Sequence, residues 1–276
     1  MFLAGRTDCT NGFLKIKKMI SKEYNEIIKA AKAGGEVVKK YFGKVLEIEG
    51  KTVPADFRTK ADLESEQIII EILSKAFPAY NIISEESGEI NKNSEYTFHV
   101  DPLDGTNNFV LGMPFFSVSI GLTKGDDIIF GAVYNPVLDN MYCAEKGKGA
   151  FLNDKEITVN KESDIKNSSV SLVVSFGSPR EYEPEIFEKL FAKDVKRVLT
   201  NWSVALDLCL LASGKIEAII IKEIHLWDFV AGKIIAKEAG AMITDFDGVL
   251  EKNEKAVTFL ITNGTKIHQE ILEIIK

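Results

Sequence analysis

The sequence Asp101-Pro102-Leu103-Asp104-Gly105-Thr106-Asn107-Asn108-Phe109 directly follows an apolar segment, residues 96–100, that has the composition of a β-strand. Its two aspartates are three residues apart with a proline turn between them, so their carboxylates can converge on one cation or on two adjacent ones. The Gly105 and Thr106 amides can cradle an anion, because glycine lets the backbone approach a ligand closely. Carboxylates beside such amides indicate phosphate chemistry with two metal ions. A turn that merely caps a helix is an equally good interpretation of the isolated motif.

Two other acidic positions also follow strand-like segments. Glu85 comes after residues 81–84, and Asp228 opens a predicted helix at residues 227–239. Taken alone, Glu85 fits a solvated turn and Asp228 fits a helix cap. Because loops at strand ends carry function, the three positions together predict a metal cluster. Asp62 lies inside another predicted helix, where a carboxylate usually faces solvent.

The pattern of apolar residues predicts a layered α/β or α+β protein. Two helices beginning near Ser21 and Thr59 precede a run of strands, and Lys124-Gly125-Asp126-Asp127 is typical of a hairpin turn. In the second half of the chain, strands alternate with helices. We expect an N-terminal extension at residues 1–18, a metal-binding α+β lobe at residues 19–150 and an α/β lobe at residues 151–276 that completes the site.

The composition excludes several classes of protein. The chain has 276 residues, a formal net charge of −7 and three isolated cysteines, Cys9, Cys143 and Cys209. The acidic balance argues against nucleic-acid binding, and no apolar run reaches the roughly 18–20 residues of a membrane span. The cysteine spacing fits no metal site, so we expect inert thiols and a cytoplasmic protein. No GxSxG, CxxC or HExxH motif indicates another catalytic class. We expect His99 in the core or at a strand edge, and His268 in solvent.

Five blocks of sequence, far apart and in order, give the chain a resemblance to a known family. They are residues 51–62 (KTVPADFRTKAD), 83–87 (ISEES), 101–109 (DPLDGTNNF) with the following 114–121 (PFFSVSIG), 147–150 (GKGA) and 227–228 (WD). From residue 19 to the C-terminus, the sequence resembles the inositol monophosphatase family of Mg²⁺-dependent, lithium-sensitive phosphatases. The resemblance implies a five-layer αβαβα sandwich that forms a cytoplasmic homodimer and acts on a small phosphorylated metabolite.

The resemblance also implies a ligand set for two or three Mg²⁺ ions. Glu85, Asp101 and the Leu103 carbonyl would hold the first ion. Asp101, Asp104 and Asp228 would hold the second ion.

The remaining catalytic roles are implied in the same way. Glu85 and Asp62 would ligate or orient a weaker third ion and its water. Thr106, paired with Asp62, would help to polarise the attacking water, and the Gly105 and Thr106 amides would grip phosphate oxygens. Lys51 and the loop around it would sit over the site.

The resemblance also implies six positions that contact the substrate. Two of them, Asp104 and Asp228, are implied metal ligands as well, and the other four are Trp202, Ser203, Val204 and Ile221. Two of them depart from the family pattern. Ile221 stands where inositol phosphatases carry a glutamate for the sugar hydroxyls, and isoleucine cannot accept those hydrogen bonds, although Glu223 can if the loop shifts. Trp202 stands where a small residue is expected. Its indole either narrows the leaving-group pocket or stacks on a ring, or else it turns into the core or a dimer contact.

Several functions remain open at this point. The family reaction is hydrolysis of inositol 1-phosphate or a related sugar phosphate, but relatives with the same metal motifs cleave fructose 1,6-bisphosphate, histidinol phosphate or phosphoadenosine phosphate. Asp245-Phe246-Asp247-Gly248-Val249-Leu250 resembles the nucleophile motif of haloacid-dehalogenase phosphatases, but too few residues follow it to build that domain, which favours a surface turn. A non-catalytic regulator that binds metal or phosphate is the alternative of a different class. The complete set of metal positions argues against it.

Overall fold

The first helix of the protein is amphipathic and packs its apolar face on a sheet. The computed structural model describes residues 20–44, 48–51, 57–179 and 181–276, so the extension predicted at residues 1–18 lies outside these residues. The helix begins at Asn25 after a 3-10 turn at Lys22–Tyr24. Ser21 is not its N-cap, because the Ser21 hydroxyl donates to the carboxylate of Glu145 at 2.8 Å.

Helices and strands follow the predicted order. The described residues form seven α-helices, which are α1 (Asn25–Tyr41), α2 (Lys60–Ala76), α3 (Thr106–Val110), α4 (Tyr182–Ala192), α5 (Val204–Ala212), α6 (Leu226–Glu238) and α7 (Ile267–Ile275). The strands in the same residues are β1 (Ile48–Gly50), β2 (Phe57–Thr59), β3 (Asn81–Ser84), β4 (Gly88–Ile90), β5 (Tyr96–Asp104), β6 (Ser117–Lys124), β7 (Asp127–Asn135), β8 (Asn140–Glu145), β9 (Ala150–Leu152), β10 (Lys155–Ile157), β11 (Ser169–Val174), β12 (Arg197–Leu199), β13 (Ala218–Lys222), β14 (Met242–Thr244) and β15 (Phe259–Thr262).

The larger sheet contains the strands that lead into the candidate site. Its order is β10-β9-β8-β7-β6-β5-β3-β4, and its pairs are antiparallel except β3 with β5. The predicted hairpin between β6 and β7 is confirmed, with Gly125 at a φ of 57° in the turn. Because β3 and β5 are parallel, their carboxyl ends and the acidic residues that follow them lie at one edge of the sheet.

The smaller sheet is built by the alternating half of the chain. Its order is β12-β11-β13-β15-β14. Strand β11 is parallel to both β12 and β13, whereas β15 is antiparallel to β13 and β14. The carboxyl ends of β11, β12 and β13 therefore meet at one edge, the place where α/β sheets commonly bind ligands.

The layers form the predicted five-layer αβαβα sandwich. Helices α1 and α2 cover one face of the larger sheet, and α5 and α6 fill the space between its other face and the smaller sheet. Helices α4 and α7 cover the outer face of the smaller sheet. Both faces of the larger and smaller sheets thus carry apolar side chains packed against helices, which explains the nearly continuous apolar runs of their central strands. Strands β9 and β10 extend the first sheet past residue 150, and the division into lobes at that residue stays a prediction.

Helix α6 lies unusually close to the larger sheet. A Cβ atom added at Gly121 of β6 would overlap Val230, and one added at Gly131 of β7 would overlap the Ala231 backbone. These glycines therefore set the distance between the helix and the sheet.

The two predicted histidine environments turn out differently. His99 is 1% exposed, as expected of a core position. The prediction that His268 is solvated is wrong, because α7 packs its apolar face onto the smaller sheet and buries the ring. Its nitrogens lie 3.0 and 2.8 Å from the hydroxyl oxygens of Thr244 and Thr262. No helix of the described residues is both long and apolar enough to cross a membrane.

Candidate active site

The end of β5 carries two of the predicted carboxylates, Asp101 and Asp104. Both residues pair with β6, but the register shifts between them, so β5 bulges there. Pro102 has no N–H to give to the sheet, which favours this irregularity. The Leu103 N–H donates to Asp101 Oδ1 at 2.9 Å and orients that carboxylate. At 3% and 5% exposure, both aspartates are buried at the sheet edge.

Asp62 lies against this motif at the start of α2. It forms a capping box with Thr59, whose N–H and hydroxyl donate to Asp62 Oδ2 at 2.8 and 2.6 Å. The Thr106 hydroxyl lies 3.2 Å from Asp62 Oδ1 and 2.9 Å from the Leu103 carbonyl oxygen. Asp62 is fully buried, so its interpretation as part of a solvated helix face is wrong. Burial raises the pKa of Asp62 to about 6, against the hydrogen bonds from Thr59.

Glu85 opens the turn after β3, beside β5. Its N–H donates to the Val100 carbonyl at 3.1 Å, which continues the parallel pairing of the two strands. The Lys51 ammonium group donates to Glu85 Oε1 at 2.7 Å and to Glu86 Oε1 at 2.6 Å. Burial raises the pKa of Glu86 to about 7, despite the hydrogen bond from Lys51. Burial lowers the pKa of Lys51, but the two glutamates outweigh that effect and raise it.

Asp104 joins the two halves of the chain. Both of its oxygens accept hydrogen bonds, from the hydroxyls of Ser117 and Ser203 and from the amides of Val204 and Ala205. The last three donors belong to the start of α5, whose N-terminus favours a negative charge. Burial raises the pKa of Asp104 to about 6, although these donors favour the charged form. Two predicted substrate positions, Ser203 and Val204, are thus in direct contact with a predicted metal position.

Trp202 precedes this helix start and has a strained backbone. Its φ is 52°, in the left-handed region that costs a non-glycine residue about 1–2 kcal/mol. Its carbonyl lies against Gly105, itself at a φ of 90°. Asn201 is held by two hydrogen bonds. Its backbone carbonyl accepts from Asn108 Nδ2 at 2.6 Å, and its side-chain Nδ2 donates to Asp207 Oδ1 at 2.6 Å. The Trp202 side chain is 60% exposed, so within the single chain it does not turn into the core.

Asp228 reaches the site from the first turn of α6. Its Oδ2 accepts from the His225 N–H at 2.9 Å in a second capping box, and the His225 ring stacks on Trp227 with centroids 4.5 Å apart. Burial, and then the charges of Glu85 and Asp104, raise the pKa of Asp228 well above its usual range. The same causes, with Asp228 as a further neighbour, raise the pKa of Asp101.

The acidic centre, defined as Glu85, Asp101, Asp104 and Asp228, fits a hard cation. Its ligands are all oxygens, which Mg²⁺ prefers, and their mutual repulsion would be relieved by positive charge. In the part of the chain that the structure describes, no three acidic, histidine or cysteine side chains already surround a common point as an ion's ligands would. The Lys51 ammonium group, bound to Glu85 Oε1, lies at the edge of the acidic centre.

The structure does not bring every predicted position to the site. Ile221 is fully buried in β13, where it pairs with Phe259, and its contact with substrate stays a prediction. The exposed Glu223 follows it and accepts a hydrogen bond from the Ser178 hydroxyl at 3.0 Å. Sequence analysis missed Asp207, which is fully buried and supports Asn201. A single acidic residue in the apolar helix sequence of residues 204–212 is the signal that could have identified it.

Comparison with known proteins defines the class to which this fold and site belong. The sequence profile described as "Inositol monophosphatase family" matches residues 19–276, and the chain belongs to this family of phosphatases. A "Fructose-1,6-bisphosphatase/inositol-1-monophosphatase" from Aquifex aeolicus is 37% identical over 263 residues, covering 92% of this chain and 96% of the relative. A "Nus factor SuhB" from Haemophilus influenzae is 36% identical over 227 residues, covering 81% and 85%.

Solved structures agree with this assignment. The extragenic suppressor protein suhB from Bartonella henselae superposes with a TM-score of 0.86 at 32% identity, covering 93% of this chain and 99% of that one. The similarities in sequence and in structure cover nearly the same share of the chain, 92% and 93%, so each includes most of the sandwich.

Proposed function

We propose that the protein is a Mg²⁺-dependent phosphomonoesterase that hydrolyses a small phosphorylated metabolite by direct attack of water. The observation that carries the proposal is the acidic centre, whose carboxylates come from both halves of the chain and lie beside the Gly105 and Thr106 amides. Burial, and then the charges of neighbouring carboxylates, raise the pKa of Asp101 and of Asp228. Evolution rarely retains buried like charges without a ligand for them, because an unpaired buried charge is costly.

The residues of the acidic centre would bind two ions. Glu85, Asp101 and the Leu103 carbonyl would hold one ion, and Asp101, Asp104 and Asp228 the other. Bound Mg²⁺ supplies a water of lowered pKa and neutralises charge on the departing oxygen. Asp101 and Asp228 each use one oxygen in a backbone hydrogen bond, and the other oxygen would serve as the metal ligand.

Thr106 and Asp62 form the pair that orients the attacking water. The Thr106 hydroxyl, 3.2 Å from Asp62 Oδ1, can pass its proton to that oxygen and accept a hydrogen from the water. The buried Asp62 carboxylate keeps Thr106 in this orientation, and with Glu85 it would assist a weaker third ion. The Gly105 and Thr106 amides bind phosphate oxygens, and Lys51 can move from Glu85 to the phosphate when a cation enters.

For the substrate we propose inositol 1-phosphate or a related sugar phosphate. The name of the Aquifex aeolicus relative, which joins two such activities, supports this class. Trp202, Ser203 and Val204 would line the leaving-group side, and Glu223 would accept hydrogen bonds from hydroxyls, as isoleucine at position 221 cannot, if the loop shifts. Inhibition by Li⁺, a homodimeric state and a cytoplasmic location are further proposals that rest on the family resemblance.

A non-catalytic regulator is the second candidate, because one relative is named a Nus factor. The two candidates differ in a simple measurement, since a regulator would bind metal or phosphate without releasing phosphate from an ester.

Phosphate release with Mg²⁺ tests the proposal. The substrates are inositol 1-phosphate, fructose 1,6-bisphosphate, histidinol phosphate and phosphoadenosine phosphate, each with Mg²⁺ and with chelator. We expect activity on at least one ester, loss of that activity in chelator and in Asp104→Asn, and full activity in Asp126→Asn, whose side chain is 90% exposed. Full activity in chelator or in Asp104→Asn would sink the mechanism.

Trp202→Gly tests the substrate side. Glycine tolerates the φ of 52°, so we expect unchanged or slightly raised stability together with a broader range of accepted leaving groups. The measurement is the ratio of kcat/KM between a small and a bulky ester of phosphate. An unchanged ratio would assign Trp202 to a structural or dimer contact.

A further inference from the structure

Helix α2 contacts each loop that carries a carboxylate of the larger sheet. Asp62 lies 3.2 Å from the Thr106 hydroxyl, the Ser65 hydroxyl donates to the Pro102 carbonyl at 2.9 Å, and Glu66 binds the turn after β3. The three helical residues are spaced i, i+3 and i+4, so they lie on one face of the helix. All three are at most 5% exposed. This face of α2 therefore supports the site from behind.

Glu66 makes the most concentrated of these contacts. Its Oε1 accepts hydrogen bonds from the Glu86 and Ser87 amides, both at 3.1 Å, and from the Ser84 hydroxyl. These three donors flank Glu85 on both sides in the sequence. A single buried oxygen thus fixes the turn from which the Glu85 carboxylate projects.

We propose that Glu66 is a positioning residue that sets the metal affinity of Glu85. The inference rests on the proposed function, because it requires Glu85 to be a ligand. Without Glu66, the two amides lose their acceptor and the turn can reorient to find another. Groups that orient a metal ligand typically change metal affinity by 10- to 100-fold when they are removed.

A merely structural role for Glu66 makes a different prediction. Loss of buried hydrogen bonds would lower the melting temperature but leave the Mg²⁺ affinity of the folded protein unchanged. A positioning role instead weakens Mg²⁺ binding, while turnover at saturating Mg²⁺ stays within about 2-fold, since no reacting group is removed.

The experiment is calorimetric titration of MgCl2 into the full chain, with Mg²⁺-dependent phosphate release as a second readout. Glu66→Ala removes the acceptor, and Glu66→Asp keeps the charge but shortens its reach by one methylene. Glu66→Gln keeps an oxygen for the same donors. The control is Glu64→Ala, which removes a carboxylate of the same helix that pairs with Lys60 at 3.5 Å.

We expect Mg²⁺ affinity to fall about 10- to 100-fold in Glu66→Ala, to fall less in Glu66→Asp and to recover largely in Glu66→Gln. If Glu66→Ala does not fold, the Mg²⁺ affinity of Glu66→Asp is compared with that of Glu66→Gln instead. Unchanged affinity in folded Glu66→Ala or Glu66→Asp would overturn the inference, as would equal weakening in Glu66→Gln. Absence of Mg²⁺ binding by the unmutated protein would instead refute the proposed function.

Discussion

Helix α6 carries two ionisable side chains, Asp228 and Lys233, in opposite environments. At its start, Asp228 belongs to the acidic centre, where burial and neighbouring carboxylates raise its pKa. Five residues later, Lys233 is 1% exposed but well compensated: it pairs with Glu251 and donates to the carbonyls of Glu254 and Ala256 at 3.0 and 3.4 Å.

The comparison separates an ionisable group that stabilises the fold from one proposed to bind a ligand. Lys233 also lies over the Phe229 and Phe259 rings, 4.8 and 3.8 Å from their centroids, which favours a cation. Burial still lowers its pKa to about 8, with Glu251 opposing that shift. The lysine is thus paired with an opposite charge within the chain, whereas neighbouring carboxylates raise the pKa of Asp101 and of Asp228, and the proposed Mg²⁺ would supply the compensating charge.

The largest expected effect comes from neutralising the acidic centre. In Asp101→Asn the Leu103 N–H keeps an acceptor, but a predicted ligand of both ions loses its charge. We expect phosphatase activity to fall about 1,000-fold or more, or about 4 kcal/mol, and unfolding free energy in chelator to rise. Activity assays test the loss of phosphatase activity, and thermal melts in chelator test the rise in stability. Retained activity would remove Asp101 from the ligand set.

Lys233→Met is the opposite case, a change expected to affect stability alone. It leaves Glu251 buried without its cation, so we expect a loss of about 3 kcal/mol in unfolding free energy. Activity per folded molecule should be unchanged. The matched control on the same helix is Lys237→Met, which removes a half-exposed ammonium group and should cost about 1 kcal/mol or less. Equal losses in both variants would contradict the comparison.

Mg²⁺ should stabilise the acidic centre and leave the Lys233 region unaffected. At 100 times its dissociation constant, an ion that binds only the folded state adds about 2.7 kcal/mol. We expect the melting temperature to rise by about 5 °C or more, and by the same amount in Lys233→Met. Scanning fluorimetry with Mg²⁺, and with K⁺ at matched ionic strength, makes the measurement. A rise that K⁺ reproduces would indicate screening instead.

The last expected effect is a pH dependence set by Asp207, an acid buried between the Ser171 hydroxyl and Asn201. Burial raises its pKa from 3.8 to about 7 in the folded protein. The folded state therefore keeps a proton that the unfolded chain releases. Its stabilising contribution is complete below pH 3.8 and is lost as the pH rises to about 7, at no more than about 1.4 kcal/mol per pH unit.

Asp207→Asn should remove this pH dependence. The asparagine keeps an acceptor for Asn201, and its amide can donate to Ser171, whose hydroxyl also accepts. We expect the variant to gain melting temperature over the unmutated protein between pH 5 and pH 8. Parallel curves for the two proteins would show that Asp207 stays charged throughout.

Local sequence patterns were sufficient to predict most of the secondary structure. Met242–Thr244 was expected as a strand at those residues, and Pro78 and Gly240 end helices near the predicted positions. These signals act over a few residues, through apolar periodicity, proline and positive φ. The family resemblance then supplied the five layers, which the packing of the helices confirms.

Local patterns could not predict which polar site residues are buried, because their burial depends on contacts between residues far apart in the sequence. The helical context of Asp62 gave no sign that Thr106 lies against it, 44 residues away. Likewise, Ser203 donates to Asp104 across 99 residues. Ile221 appeared to be a pocket residue only by alignment, and its burial follows from pairing with β15. The proposed metal roles remain predictions, since they concern ligands that adjust around an ion.

The close packing of α6 against Gly121 and Gly131 has a consequence for protein engineering. A methyl group at either position would push the helix outward and carry Asp228 with it, so even an alanine substitution there should displace a member of the acidic centre. Libraries that aim to change substrate scope should therefore leave this glycine seam untouched. They are better directed to the turn after β11, residues 175–178, whose hydrogen bonds involve neither of these two glycines nor α6.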